Sequence, residues 1–185
     1  MEKTKRLFVA INLPIDLKRE LFDIQKEITS QLDEDFIKAD VFKWVAMENL
    51  HLTLKFIGEV GDSQIEKIIA NVLKISQQQK SFEIKTDTIC YYTTKQCPQL
   101  IWLTIEKNKD LENLAKNFGE NNFLGHITLA RIKEWIFKKI DPQERLVIEK
   151  DFDYKIQVNS IELMESILKK TGPEYKIIKS FAFKK

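Results

Sequence analysis

Two histidines occur in this 185-residue chain, and each opens the same four-residue pattern. His51-Leu52-Thr53-Leu54 is the first copy and His126-Ile127-Thr128-Leu129 the second. On the chain's own composition a random histidine carries an aliphatic-Thr-Leu tail roughly once in a thousand cases, so chance does not account for both. Two imidazoles suit paired general acid–base catalysis. Histidine has a reference pKa near 6.5, so around neutrality one ring can accept a proton while the other gives one. Each such group is typically worth about two to four decades of rate. Thr53 and Thr128 carry hydroxyls that can hydrogen-bond the non-bridging oxygens of a phosphate. Arg131, two residues past the second copy, adds positive charge and a fork of donors. Phosphodiester cleavage without a metal is the chemistry these residue types fit.

Strands must position these groups. Leu50 to Phe56 alternates apolar and polar residues, the pattern of a half-buried strand. Side chains two apart share a face. His51, Thr53 and Lys55 therefore point one way, and Leu50, Leu52, Leu54 and Phe56 point to a core. His126 and Thr128 likewise share a face opposite Ile127 and Leu129. If the two strands lie side by side, both imidazoles converge on one cleft. Arg131 falls on the face opposite His126, and reaches a phosphate only where the strand ends or twists. Lys55 is a solvated strand-end charge or a phosphate contact. Phe8 and Tyr175 are the aromatic rings that could stack on a base, with core packing the plainer role for Phe8.

The rest of the chain reads as alternating strands and helices. Arg6 to Asn12 is an apolar strand. Pro14 then opens a helix whose Leu17, Leu21, Ile24 and Ile28 recur at helical spacing to about Gln31. Residues 32 to 40 form an acidic connection, and Val41 to Val45 a short strand. Asp62 or Ser63 caps a helix with Ile65, Ile68, Ile69, Val72 and Leu73 as its buried stripe. Phe82 to Tyr92 and Leu100 to Ile105 are strands joined through a polar loop between Cys90 and Cys97. Leu111, Leu114 and Phe118 mark a short helix, Asp141 caps a further helical turn, and Tyr154 to Met164 and Tyr175 to Phe183 close the chain as strands. The expected class is α+β with helices on the outside, in a single domain spanning residues 1–185.

Bulk properties narrow the partners. A net charge of +2 with a pI of about 8.4 lacks the excess of a protein that coats nucleic acid nonspecifically, so a small or terminal nucleotide is a better fit than a long duplex. No apolar run approaches the ~20 residues of a membrane span. The charged start lacks the apolar stretch and cleavage site of a signal peptide, which points to the cytoplasm. There Cys90 and Cys97 are expected as free thiols. Two cysteines and two histidines in these positions do not match a structural zinc site, so neither metal nor cofactor is expected.

The chain resembles the RNA 2′,3′-cyclic phosphodiesterases, also called the 2′-5′ RNA ligase family, in the two-histidine phosphoesterase superfamily. The likeness rests on Arg6-Leu7-Phe8-Val9-Ala10-Ile11, on Glu48 to Val60 around the first motif, and on Leu100-Ile101-Trp102-Leu103. It continues through His126-Ile127-Thr128-Leu129-Ala130-Arg131, Glu165-Ser166 and Gly172-Pro173-Glu174-Tyr175. It implies a bilobal fold, with two pseudo-symmetric lobes of antiparallel sheet around a central cleft. It also implies hydrolysis of RNA 2′,3′-cyclic phosphate ends to 2′-phosphomonoesters without a metal, and the chain is expected to act as a monomer. By the same likeness, His51 would protonate the departing 3′ oxygen, His126 would activate water, and Thr53 and Thr128 would hold phosphate oxygens; Arg131 is added to the substrate-binding set on its charge and its place beside the motif. Reversal of that chemistry would give 2′-5′ ligation. Three departures stand out: Gly125 replaces the proline usual before the second histidine, the stretch from Ile105 to His126 is short, and the Cys90 to Cys97 loop is not glycine-rich. The motifs alone address only the phosphate, so a 2′,5′-phosphodiesterase or a small cyclic-nucleotide phosphodiesterase uses them equally well. A noncatalytic RNA-end-binding module is the competing class, and it needs no acid–base pair.

Overall fold

The computed structural model describes residues 4–94, 97–140, 147–170 and 172–184. In chain order the elements are β1 (Thr4–Asn12), α1 (Ile15–Ser30), α2 (Glu34–Lys38), β2 (Phe42–Trp44), a 3₁₀ turn (Met47–Asn49), β3 (His51–Gly61) and α3 (Asp62–Ser76). They continue with β4 (Phe82–Thr94), β5 (Cys97–Ile105), α4 (Lys109–Asn117), β6 (His126–Ile132), α5 (Glu134–Ile140), β7 (Glu149–Asp151), β8 (Lys155–Val158), β9 (Ser160–Lys169) and β10 (Gly172–Ala182). No helix among the described residues is long and apolar enough to cross a membrane.

The strands run in the order β10-β9-β1-β3-β6-β5-β4-β7, with β2 paired to β6 and β8 to β4. All of these ladders are antiparallel. The two halves expected as lobes, β10-β9-β1-β3 and β6-β5-β4-β7, meet at the two motif strands. Their junction is the pair Leu52↔Ile127. Both residues are fully buried, so the cores of the two halves fuse behind the junction. That core takes Leu7, Val9 and Ile11 from β1 and Leu17, Leu21, Ile24 and Ile28 from α1. Stripe residues recurring every three or four positions on α1 are what let it cover the sheet.

Several boundaries differ from the sequence reading. The acidic connection holds α2, because Phe36 inserts between Phe42 and Phe137, with ring centroids 5.9 and 5.6 Å away. Tertiary burial of one ring outweighs the weak helical tendency of a short acidic segment. The stretch between Cys90 and Cys97 pairs as a hairpin to Thr94↔Cys97, which puts both cysteines in strands. Both are free thiols, and Trp102 Nε1–H donates to Cys90 Sγ at 3.3 Å. Helix α3 starts at Asp62 and is capped at Gly61, whose amide donates to Gln64 Oε1 at 3.2 Å, one residue before the first of the two expected caps, Asp62 and Ser63. Leu73, placed in its buried stripe, is exposed, while Val72 and Ile75 are buried. The Asp141 cap lies outside the described residues, and α5 precedes it. The strand expected from Tyr154 to Met164 is broken at Asn159 into β8 and β9.

Candidate active site

β-bulges decide which side chains share the motif face. Along β3, the partners of β1 step from Thr53 (opposite Ala10) to Lys55 (opposite Val9), leaving Leu54 as an extra residue. Along β6, the partners of β5 step from Thr128 (opposite Trp102) to Ala130 (opposite Ile101), leaving Leu129 extra. The fourth residue of each His-x-Thr-Leu copy is therefore a bulge. An extra residue shifts the alternation by one, so every side chain beyond it changes face. Position five after each histidine is thereby brought to the histidine's face. Those positions are Phe56 and Arg131, and both line the cleft with the two His-Thr pairs. β3 and β6 are antiparallel, so Phe56 and Arg131 lie at opposite ends of it.

Two sequence expectations are corrected by the bulge at Leu54. Lys55 is turned off the face of His51 and Thr53, and its ammonium pairs with Glu120, on the approach to the second motif, at 2.5 Å. Phe56, placed in the core by strict alternation, is 68% exposed. Arg131 reaches the cleft because its strand bulges, not because the strand ends.

Helix α1 fastens the second bulge. Gln25 is buried, and its side-chain amide donates to the carbonyls of Leu129 (2.9 Å) and Val45 (3.0 Å). The Val45 amide donates to the same Leu129 carbonyl at 2.9 Å. Gln25→Leu strands the Val45 carbonyl and weakens the bulge. It should cost about 1–3 kcal/mol in urea unfolding and raise the substrate KM through loss of Arg131 placement.

Each imidazole is oriented by a backbone carbonyl two residues upstream. His51 Nδ1 lies 2.6 Å from the Asn49 carbonyl, and His126 Nδ1 lies 2.8 Å from the Leu124 carbonyl. A carbonyl only accepts, so the hydrogen sits on Nδ1 and each Nε2 carries the lone pair. The Thr53 hydroxyl, 2.8 Å from His51 Nε2, donates to it when the ring is neutral. Protonation of Nε2 reverses that bond and releases the hydroxyl hydrogen for another acceptor. Around the Leu52↔Ile127 pair the register puts His51 opposite Thr128 and Thr53 opposite His126. Directly opposed side chains on one face are about 4.5–5.5 Å apart at Cβ. The four groups form one cluster.

Packing holds the rings. Phe8 and Tyr175 flank His51 at centroid distances of 5.1 and 5.2 Å, and Trp102 packs on His126 at 4.9 Å. Phe8 is buried and serves as packing. Asn49 Nδ2 donates to the Pro173 carbonyl at 2.7 Å, tying the turn before His51 to β10. The buried Lys18 ammonium donates to the Glu48 carbonyl at 2.9 Å and braces the same turn. Desolvation lowers the His51 pKa to about 4, opposed by the Asn49 carbonyl and reinforced by the positive charges of Lys18, His126 and Arg131. Burial lowers His126 as well, against its Leu124 hydrogen bond and with help from Arg131.

Gly125 has a steric reason. A Cβ there would lie 3.0 Å from Leu111 Cδ2 and 3.4 Å from Ile105 Cβ. Leu111 is buried in the core, so it can yield only by repacking. Gly125→Ala should lower stability by roughly 1–3 kcal/mol, read as a shifted urea midpoint at constant m-value, and should lower kcat by displacing His126.

The cleft has a volume of about 660 Å³. Lys43, Trp44 and Arg6 join its walls, and sequence reasoning assigned none of them there. Among the described residues no group of three or more His, Cys, Asp or Glu side chains is arranged to hold a metal ion.

Comparison with known proteins agrees with this fold. The family model described as LigT like phosphoesterase matches residues 11–102. An RNA 2′,3′-cyclic phosphodiesterase of Thermotoga maritima is 29% identical, over 94% of this chain and 92% of its own. One from Methanocaldococcus jannaschii is also 29% identical, over 95% and 99%. The crystal structure of a Thermus thermophilus protein superposes with a TM-score of 0.77 at 22% identity, covering 96% of this chain and 97% of that one. Escherichia coli LigT complexed with phosphate gives 0.75 at 24% identity, with both chains fully covered. With the doubled motif and the matching fold, the chain belongs to the LigT-like phosphoesterase family.

Proposed function

We propose that the protein hydrolyses the 2′,3′-cyclic phosphate at an RNA end to a 2′-phosphomonoester, using His51 and His126 as acid and base and no metal. The observation that carries this is that both imidazoles, each held through Nδ1 by a backbone carbonyl, turn Nε2 toward one cleft beside Thr53, Thr128 and Arg131. The naming of the Thermotoga and Methanocaldococcus relatives supports the substrate class.

A water oxygen attacks phosphorus while His126 Nε2 takes its proton. The P–O3′ bond breaks, and His51 Nε2–H gives a proton to O3′. The product is a 2′-phosphomonoester with a free 3′-hydroxyl, and the two rings regain their starting states by proton exchange with solvent. Thr53 and Thr128 hydrogen-bond the non-bridging oxygens, and the Arg131 guanidinium meets the charge that develops on them. The same groups run backward when a 5′-hydroxyl replaces water, which gives 2′-5′ ligation.

We place the reaction in the cytoplasm, where free thiols such as Cys90 and Cys97 persist. We read the chain as a monomer and one domain, since a single copy supplies every group the steps need. The test is hydrolysis of an oligonucleotide ending in a 2′,3′-cyclic phosphate with chelator present. A 2′-phosphate product is expected. No turnover by folded protein, or turnover abolished by chelator, overturns the assignment.

A further inference from the structure

The cleft is more positive than one cyclic phosphate requires. Arg6, Lys43 and Arg131 line it, and among the described residues no carboxylate does. None of the three makes an ion pair or side-chain hydrogen bond with another described residue, although Glu59 faces Arg6 across the β1–β3 ladder. A cyclic phosphodiester carries a single negative charge, and Arg131, with Lys43 opposite it on β2, already meets that charge.

Arg6 is at the other end. It stands two residues before Phe8 on β1, on the same face, and Phe8 pairs with Phe56. Because β3 and β6 run in opposite directions, this end lies away from Arg131. A second bulge, with Ile57 extra and Gly58 at φ +91°, shifts the ladder between Phe56 and Arg6. Phe56 is 68% exposed beside the buried Phe8, 6.3 Å between centroids, and so offers a free ring face in the wall of the cleft.

Which end takes the nucleoside follows from the proposed reaction, on which this inference rests. The leaving 3′ oxygen belongs to the terminal ribose and sits at His51, so water sits at His126. The nucleoside therefore lies on the β1–β3 side, toward Phe56 and Arg6. We propose that this end of the cleft reads the RNA on the 5′ side of the cyclic phosphate. Phe56 stacks on the terminal base, and Arg6 pairs with the phosphate that joins the terminal nucleoside to its neighbour. Stacking on an aromatic face tolerates any base, and the Arg6 contact requires a second phosphate. The preferred substrate is then an oligonucleotide end rather than a free cyclic mononucleotide.

The test compares adenosine 2′,3′-cyclic phosphate with the dinucleotide ApA ending in a 2′,3′-cyclic phosphate, for the native protein, Arg6→Gln, Arg6→Lys and Phe56→Ala. The native protein should show a KM about tenfold lower for the dinucleotide, the effect of one exposed charge-assisted phosphate contact. Its kcat/KM should fall more steeply with salt, by roughly 0.7 in the log–log slope for one added phosphate. Arg6→Gln should erase both differences and Arg6→Lys restore part of the KM advantage. Phe56→Ala should raise KM for both substrates. Arg6 and Phe56 are exposed, and unchanged thermal midpoints check that the variants fold. Turnover of both substrates at equal KM, or an equal loss on both in Arg6→Gln, overturns the subsite alone. Turnover of neither overturns the functional assignment and the subsite with it.

Discussion

Alanine at either His51 or His126 lowers kcat on a cyclic-phosphate-ended RNA by about two to four decades while KM changes little, because each ring acts on a proton in flight and not on the bound ground state. The double variant should sit close to either single one, since the two rings serve one step and their effects do not add. Retained binding with lost turnover separates an enzyme from a module that only holds RNA ends. The division of labour has its own signature. A nitrophenyl phosphodiester leaves as a weakly basic phenolate and needs no acid. On that substrate His51→Ala should recover most of the native rate, and His126→Ala should not. Equal losses on both substrates in both variants would sink the acid and base assignments. His51→Ala carries a second effect: it removes one ring of the packed trio His51, Phe8 and Tyr175 and leaves a gap against the other two, so its thermal midpoint should also fall.

Alternation and repetition made the centre of the site legible from sequence. His51, Thr53, His126 and Thr128 share a face because they precede any bulge, and Leu52 and Ile127 are buried behind them as a period of two requires. What lay beyond the threonines was misread for one reason. A bulge at Leu54 or Leu129 changes no residue type and leaves no periodicity of its own, yet it inverts every assignment after it. Lys55 and Phe56 exchanged roles on that account. The same count puts Arg131 on the face opposite His126, and its charge and fork of donors make it a candidate only if the strand ends or twists there. Gly58, at φ +91° beside the second bulge of β3, is a visible sign of irregularity in the sequence. Gln25, Asn49 and Lys18 could not be found from sequence at all. Their parts depend on which carbonyls the bulge and the turn before His51 bring near α1 and β10, and that is settled by tertiary packing.

Acid should unfold this protein through His51. The ring titrates at about 4 when folded and near 6.5 in an unfolded chain, so between those values the unfolded state binds the extra proton. Stability from this group is fully present above about pH 6.5 and is lost as pH falls toward 4. A gap of two and a half pH units at 1.36 kcal/mol each makes the total roughly 3 kcal/mol. Urea unfolding of the native chain and of His51→Gln at pH 7.5, 6, 5 and 4 isolates the contribution. The native curve should converge on or cross that of the variant as pH drops, and parallel curves would refute it. With two histidines in the chain, proton NMR of His126→Gln reads the His51 titration directly. Inorganic phosphate should lift its midpoint, because an anion in the cleft opposes the desolvation and the positive charges of Lys18 and Arg131. By linkage, phosphate affinity should then rise as pH falls from 7 toward the apo midpoint. Neutral in the free protein and charged only once a phosphate is beside it, His51 would acquire its proton with the substrate, when a donor to O3′ is needed.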